Sequence, residues 1–151
     1  MGFYSATDFQ PDSSVGYLAK RVHQLAQAGL EPVFAAEGLT FTQWHAVVSI
    51  HFGRGSTPAE LARDLSYDKG ATTRLLDVLE ARGWVERQRG QGDRRSIGLK
   101  LTEAGEEVAR RGRLRVIDAW NAWLADWSHE DAAAAVAMLQ RLRDTLAEKI
   151  A

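Results

Sequence analysis

Apolar residues recur at steps of three and four through most of this chain, and the pattern divides it into six helical stretches and one hairpin. Val15, Leu18, Val22, Leu25 and Ala26 form a first stripe, opened by Ser13 or Ser14 as a cap and running to about Ala36. Gly38 ends it. Thr40 then caps a second helix, Phe41 to Phe52, in which Trp44, Val47, Val48 and Phe52 read as core. After the turn Gly53-Arg54-Gly55-Ser56, the run Thr57-Pro58-Ala59-Glu60 carries three helix-start signals: a capping threonine, proline at the first helical position, and a glutamate placed to close a capping box. This third helix is short, to Leu65. A polar break at Ser66-Tyr67-Asp68 separates it from a fourth, Lys69 to Arg82, which stops at Gly83.

The period then changes. Trp84 to Arg87 and Ser96 to Leu101 read as two strands, joined by the turn chemistry of Gly90-Gln91-Gly92-Asp93. Thr102 or Glu103 begins the longest helix, reaching about Trp127, with Val108, Leu114 or Val116, Ile117, Trp120, Leu124 and Trp127 along one stripe. Ser128-His129-Glu130-Asp131 looks like a break with a new cap, followed by Val136, Leu139, Leu142, Leu146 and Ile150 on a last helix. The expected fold is therefore mainly α with a small two-stranded β-hairpin wing: a winged helix-turn-helix domain, 39–102, on a helical frame made of 13–36 and 103–150. The outer helices carry more apolar surface than a lone winged domain needs. Intramolecular packing of the three is one solution; a twofold dimer with interleaved terminal helices is the more economical one.

On the fourth helix, a step of 100° per residue gathers Ala71, Leu75, Val78 and Leu79 on one side, with Thr72 at the margin. Lys69, Gly70, Thr73, Asp77 and Glu80 lie opposite, and Arg74 flanks them. The first two turns of that face are small and polar, suited to entering a major groove, where Gly70 permits close approach. Asp77 and Glu80 are expected to point away from phosphates or to pair with nearby arginines. Charge supports the picture more than the net value of -1 does. Residues 54–115 hold 14 of the 19 basic and 10 of the 20 acidic side chains, a basic head on an acidic frame. Arg87, Arg89, Arg94 and Arg95 crowd the hairpin, where their repulsion has no structural benefit without an anion. Asp93 can offset one of them, most plausibly Arg95.

Composition removes other classes. With no cysteine there is no disulfide, thiolate zinc site or thiol redox switch. The four histidines form no metal-ligand motif, so neither a metal nor a cofactor is expected. Residues 1–12 combine neither a basic start nor an apolar run, and nowhere is there an apolar stretch of the ~18 residues a membrane helix needs. A cytoplasmic protein with no membrane association is expected. No Gly-rich phosphate loop, zinc-spaced histidine pair or nucleophile elbow is present, and catalysis is not expected.

The runs Asp68-Lys69-Gly70-Ala71-Thr72-Thr73-Arg74-Leu75-Leu76-Asp77, Arg82-Gly83-Trp84-Val85-Glu86-Arg87 and Asp93-Arg94-Arg95-Ser96, the last leading to Leu99-Lys100-Leu101-Thr102-Glu103-Ala104-Gly105, resemble the MarR family of bacterial regulators. The resemblance spans roughly Leu39 to Val108, and its wing signature is the more specific part. It implies a homodimer that binds a pseudo-palindromic DNA operator, usually to repress transcription. Matched position by position, it implies that Thr73 and Arg74 read DNA from the recognition helix and that Asp93 and Arg95 form the wing pair; the polar helix face and the basic hairpin add Lys69, Gly70, Thr72, Arg89 and Arg94 as expected contacts. The resemblance further implies release by a small, often aromatic, effector held between frame and winged domain, for which Trp44, His45, His51 and Trp120 are the candidates. Two alternatives use the same fold: a winged helix that binds protein partners, and a regulator that senses a metal through histidine and carboxylate ligands.

Overall fold

The computed structural model describes residues 2–89 and 97–150. A short 3-10 turn, Pro11–Ser13, precedes α1 (Val15–Ala36), α2 (Phe41–His51), α3 (Pro58–Leu65), α4 (Lys69–Ala81), strands β1 (Val85–Arg89) and β2 (Ile97–Leu101), α5 (Glu103–Trp123) and α6 (His129–Ile150). The strands form one antiparallel pair, with Val85 opposite Leu101, Arg87 opposite Leu99 and Arg89 opposite Ile97. This is the mainly helical, winged architecture that the apolar pattern predicts.

Each helix opens on a side-chain oxygen that takes up an otherwise unpaired backbone N–H. Ser14 accepts from Tyr17, Thr40 from Gln43, Thr57 from Glu60, Asp68 from Ala71, Thr102 from Gly105 and Ser128 from Asp131. Such a cap contributes about 1 kcal/mol, and it sets the start of each helix to the residue. At Thr40 the box is complete, because the Gln43 side chain accepts from the Thr40 N–H. At Thr57 it is not. The Glu60 carboxylate does not return to the cap, and its Oε2 is buried with no hydrogen-bond partner among the described residues.

Packing divides the chain into two compact units, one through Val116 and one from Ile117 onward, with α5 contributing to both. In the first, Phe34 of α1 is fully buried and stacks on Trp44 of α2, ring centroids 4.9 Å apart. Val47, Leu61, Leu76, Leu79, Leu99, Leu101 and Val108 complete this core. The alternation along β2 buries Leu99 and Leu101, and the Leu99 N–H donates to the Ser56 carbonyl at 2.8 Å, which ties the hairpin to the turn before α3. In the second unit, Trp120 and Trp123 pack edge to face, and α6 buries no residue. No helix among the described residues is long and apolar enough to cross a membrane.

Three details differ from the sequence expectation. Phe52 is 58% exposed rather than core, because α2 ends at His51 and Gly53, at φ +71°, redirects the chain before the stripe can continue. The helix expected to be the longest, α5, stops at Trp123 instead of Trp127 and is one residue shorter than α1 and α6; a Trp127 N–H to Leu124 carbonyl bond closes a tighter turn before the Ser128 cap. On α4 the buried line is Thr72, Leu76 and Leu79, while Val78 faces outward.

Candidate nucleic-acid interface

The helix pair α3–α4 is joined by three residues. Ser66 takes the left-handed conformation (φ 54°), and its N–H closes on the Ala62 and Arg63 carbonyls. Tyr67 donates its backbone N–H to Ala62 and shares a 3.1 Å hydrogen bond with the Thr42 hydroxyl of α2. Asp68 then caps α4 at 2.7 Å. A turn anchored at each residue leaves α4 little freedom against α2 and α3.

Outward from this support, α4 exposes Lys69, Gly70, Thr73, Arg74 and Asp77. A Cβ on Gly70 would lie 3.4 Å from Arg74 Nη1 and 3.2 Å from Asp68 Oδ1, so the guanidinium lies across the first turn, above the one residue there that offers no side chain. Thr73 donates its hydroxyl to the Lys69 carbonyl at 2.8 Å. Thr72, expected at the DNA, is buried at 2% exposure, and its hydroxyl donates to the Asp68 carbonyl at 2.9 Å. Thr73 makes the same kind of bond but is exposed, so it is burial that takes Thr72 out of the contact set.

The acidic half of α4 is partly offset from the wing. Arg87 of β1 donates Nη2 to Asp77 at 2.8 Å and Nη1 to Glu80 at 2.7 Å. Arg87, read from the sequence with the hairpin arginines, thus has its charge engaged inside the domain, the pairing expected for Asp77 and Glu80. Between α3, α4 and the sheet runs a cleft of about 700 Å³, lined by Pro58, Ala62, Thr72, Leu76, Arg87 and Ile97. The side chain of Arg89, and all of Asp93, Arg94 and Arg95, lie outside the described residues.

Within the first unit the effector candidates do not share one place. Trp44 and His45 line a second cleft, of about 610 Å³, with Val48, Phe52, Arg54 and Asp64. His45 sits 4.1 Å from the Phe41 ring; burial, and then the nearby His23, push its imidazole below the ordinary value. His51 instead pairs through Nδ1 with Glu106 Oε2 at 2.6 Å, joining the end of α2 to the start of α5. Trp120 belongs to the second unit. No group of three or more histidines and carboxylates is placed to hold a metal among the described residues.

A helix-turn-helix with a β-hairpin beside its second helix defines a winged helix-turn-helix protein. A family profile described as "MarR family" matches residues 37–96. The multiple antibiotic resistance protein MarR of Escherichia coli K12 is 35% identical over 97 residues, which is 64% of this chain and 67% of that one. A crystal structure of a mutant of E. coli MarR complexed with operator DNA aligns over 85% of this chain and 92% of that one, at 29% identity and a TM-score of 0.73. The transcriptional repressor CouR, bound to a 23-mer DNA duplex, aligns over 87% and 94% at 25% identity and a TM-score of 0.77. A Mycobacterium tuberculosis MarR family protein in complex with salicylic acid aligns over 90% and 98%, at 27% identity and 0.74. The chain belongs to the MarR family of transcriptional regulators.

Proposed function

We propose that this protein is a transcriptional repressor that binds a pseudo-palindromic DNA operator as a homodimer, in the cytoplasm, and performs no catalysis. The observation that carries the reading is the outer face of α4: Lys69, Gly70, Thr73 and Arg74 are exposed at its N-terminal turns, while Arg87 pairs with Asp77 and Glu80 and offsets one of their two negative charges on the same surface. A helix so disposed enters a major groove N-terminus first, with Arg74 as base reader and Lys69 on a phosphate. On the sequence reading, Arg89, Arg94 and Arg95 serve the adjoining backbone or minor groove, with Asp93 offsetting one of them, most plausibly Arg95. The frame residues 13–36 and 103–150 pair the two copies, whose reading helices then stand ~34–36 Å apart, one turn of DNA. That one relative is a repressor on a DNA duplex, and another a MarR on its operator, supports this directly.

Salicylic acid on another relative favours a small aromatic acid as the releasing effector. In this chain the cleft beside Trp44 and His45 suits the aromatic ring, with Val48 and Phe52 as apolar wall; Arg54 at its rim already pairs with Asp64 at 3.2 Å, so an acid would have to compete with that carboxylate for it. His51 has its imidazole engaged with Glu106 and is a tie between elements rather than a contact. The test is fluorescence anisotropy on duplexes selected from random DNA, at several salt concentrations and with added salicylate. Sequence-selective binding that steepens at low salt and weakens with salicylate is expected. Equal affinity for selected and random duplexes would overturn the operator reading and favour a protein partner for the winged domain.

A further inference from the structure

One junction holds α4 to the helices of the frame. Glu37 caps the end of α1, and Gly38, at φ +71°, turns the chain toward α2. The Glu37 carboxylate accepts a hydrogen bond from Arg115 Nε at 2.9 Å and lies 3.7 Å from Arg111 Nε as a looser ion pair, both from α5. One residue on, the Gly38 carbonyl accepts Arg82 Nη1 at 2.5 Å. Arg82 is the C-cap of α4, and its guanidinium carbon lies 4.7 Å over the Trp84 ring. The Gly83 carbonyl beside it accepts the Thr102 hydroxyl at 2.6 Å, and a Cβ on Gly105 would fall 2.0 Å from the Trp84 carbonyl oxygen, so the first turn of α5 rests on the chain leaving α4. Two consecutive residues therefore hold α5 through a side chain and α4 through a backbone oxygen.

Arg82 lies at the far end of α4 from Lys69, about 20 Å along the axis at 1.5 Å per residue. It is remote from the reading face, so any effect on recognition passes through the pose of the helix. Resting on the operator-reading role above, we propose that Arg82 is a positioning residue that fixes the angle of α4 against α1 and α5, and thereby sets which half-site spacing the dimer accepts. A guanidinium is suited to this, because its planar fork donates to a carbonyl while its face stacks on an indole, which an ammonium does less well.

The experiment uses the full chain and duplexes recovered by selection from random DNA, with their two half-sites moved together or apart by one or two base pairs. Wild type is expected to prefer one spacing by about tenfold or more, since a rigid pair of reading heads matches only one separation. In Arg82→Ala that preference is expected to flatten to within about threefold, with Arg82→Lys intermediate. Glu37→Gln, which loosens the same junction from α5, flattens it in the same direction, and the double variant adds little to Arg82→Ala alone. Urea unfolding of each variant identifies any that does not fold, and the remaining ones carry the comparison. A uniform loss of affinity at every spacing, with the profile unchanged, would overturn the positioning role. A wild type that binds selected DNA with no spacing preference would instead sink the paired-operator reading on which the proposal rests.

Discussion

The indole of Trp44 lies so close to the backbone of Gly112 that a Cβ there would sit 2.3 Å from its Cδ1 and Nε1. With Phe34 stacked on Trp44, α1, α2 and α5 meet at a point with no room for a methyl group. Alanine in a helix interior ordinarily gains about 1 kcal/mol over glycine, but overpacking costs about 1–3 kcal/mol, and here the second effect dominates. Gly112→Ala is expected to lower the urea midpoint. Gly105→Ala is expected to lower it further, because its obstacle is the Trp84 carbonyl rather than a side chain. An unchanged or raised midpoint at either position would contradict the packing.

Arg87 is the link between wing and α4, and its removal tests electrostatics more than stability. The pair is partly exposed, so its loss costs about 1 kcal/mol or less of folding free energy. Operator affinity is expected to fall about tenfold, because Asp77 and Glu80 would then face phosphates uncompensated. Adding Asp77→Asn and Glu80→Gln to Arg87→Ala should recover most of that loss in an anisotropy titration. No recovery would mean that Arg87 acts on DNA itself.

Lys69 and Arg74 should separate by the kind of loss they cause. Arg74→Ala is expected to cost about 1–3 kcal/mol on the best duplex and to relax preference at one base pair per half-site. Lys69→Ala is expected to weaken all duplexes alike and to reduce the slope of log K against log salt by roughly 0.9 per site. Matched salt titrations of both variants on selected and random DNA decide the assignment.

His45 makes the fold sensitive to acid. Its folded-state pKa is pushed below the ordinary 6.5 by burial first and His23 second, with Asp64 opposing. The unfolded chain therefore binds the proton more readily, and the stability His45 contributes is full above the unfolded value and is lost as pH falls below it. Urea midpoints measured from pH 7.5 down to about 5 should decline, and His45→Gln should make that decline shallower. A parallel decline in the variant would place the acid sensitivity elsewhere.

The helices were legible because their starts are chemical. Ser14, Thr40, Thr57 and Asp68 stand where they cap, and Gly38, Gly53 and Gly83 adopt the positive φ at which the elements turn away. Periodicity misled where the apolar series outlasts the helix, as at Phe52 and Trp127, since a repeat of side-chain types does not record where the backbone stops. It misled again on α4, where Thr72 counts as polar until its hydroxyl is seen bound to Asp68. The outer positions Lys69, Gly70, Thr73 and Arg74 could be read from angular spacing alone. The Arg82 bond to Gly38 could not, because its partners are 44 positions apart and no local rule connects them. Nor does residue type locate a cleft: Trp44 and His45 share one, while His51, six residues on, is turned to a carboxylate.

Val15, Leu18, Val22 and Leu25 on α1, and Val136, Leu139, Leu146 and Ile150 on α6, face solvent in the single chain. If a second copy covers them, occupancy of the operator depends on how many chains are available to pair, and at low abundance it rises with the square of their concentration. Such a protein measures its own dosage. A promoter under its control would stay open while copies are scarce and close over a narrow range once they accumulate, and a variant weakened only at those eight positions would move that threshold without altering a single contact to DNA.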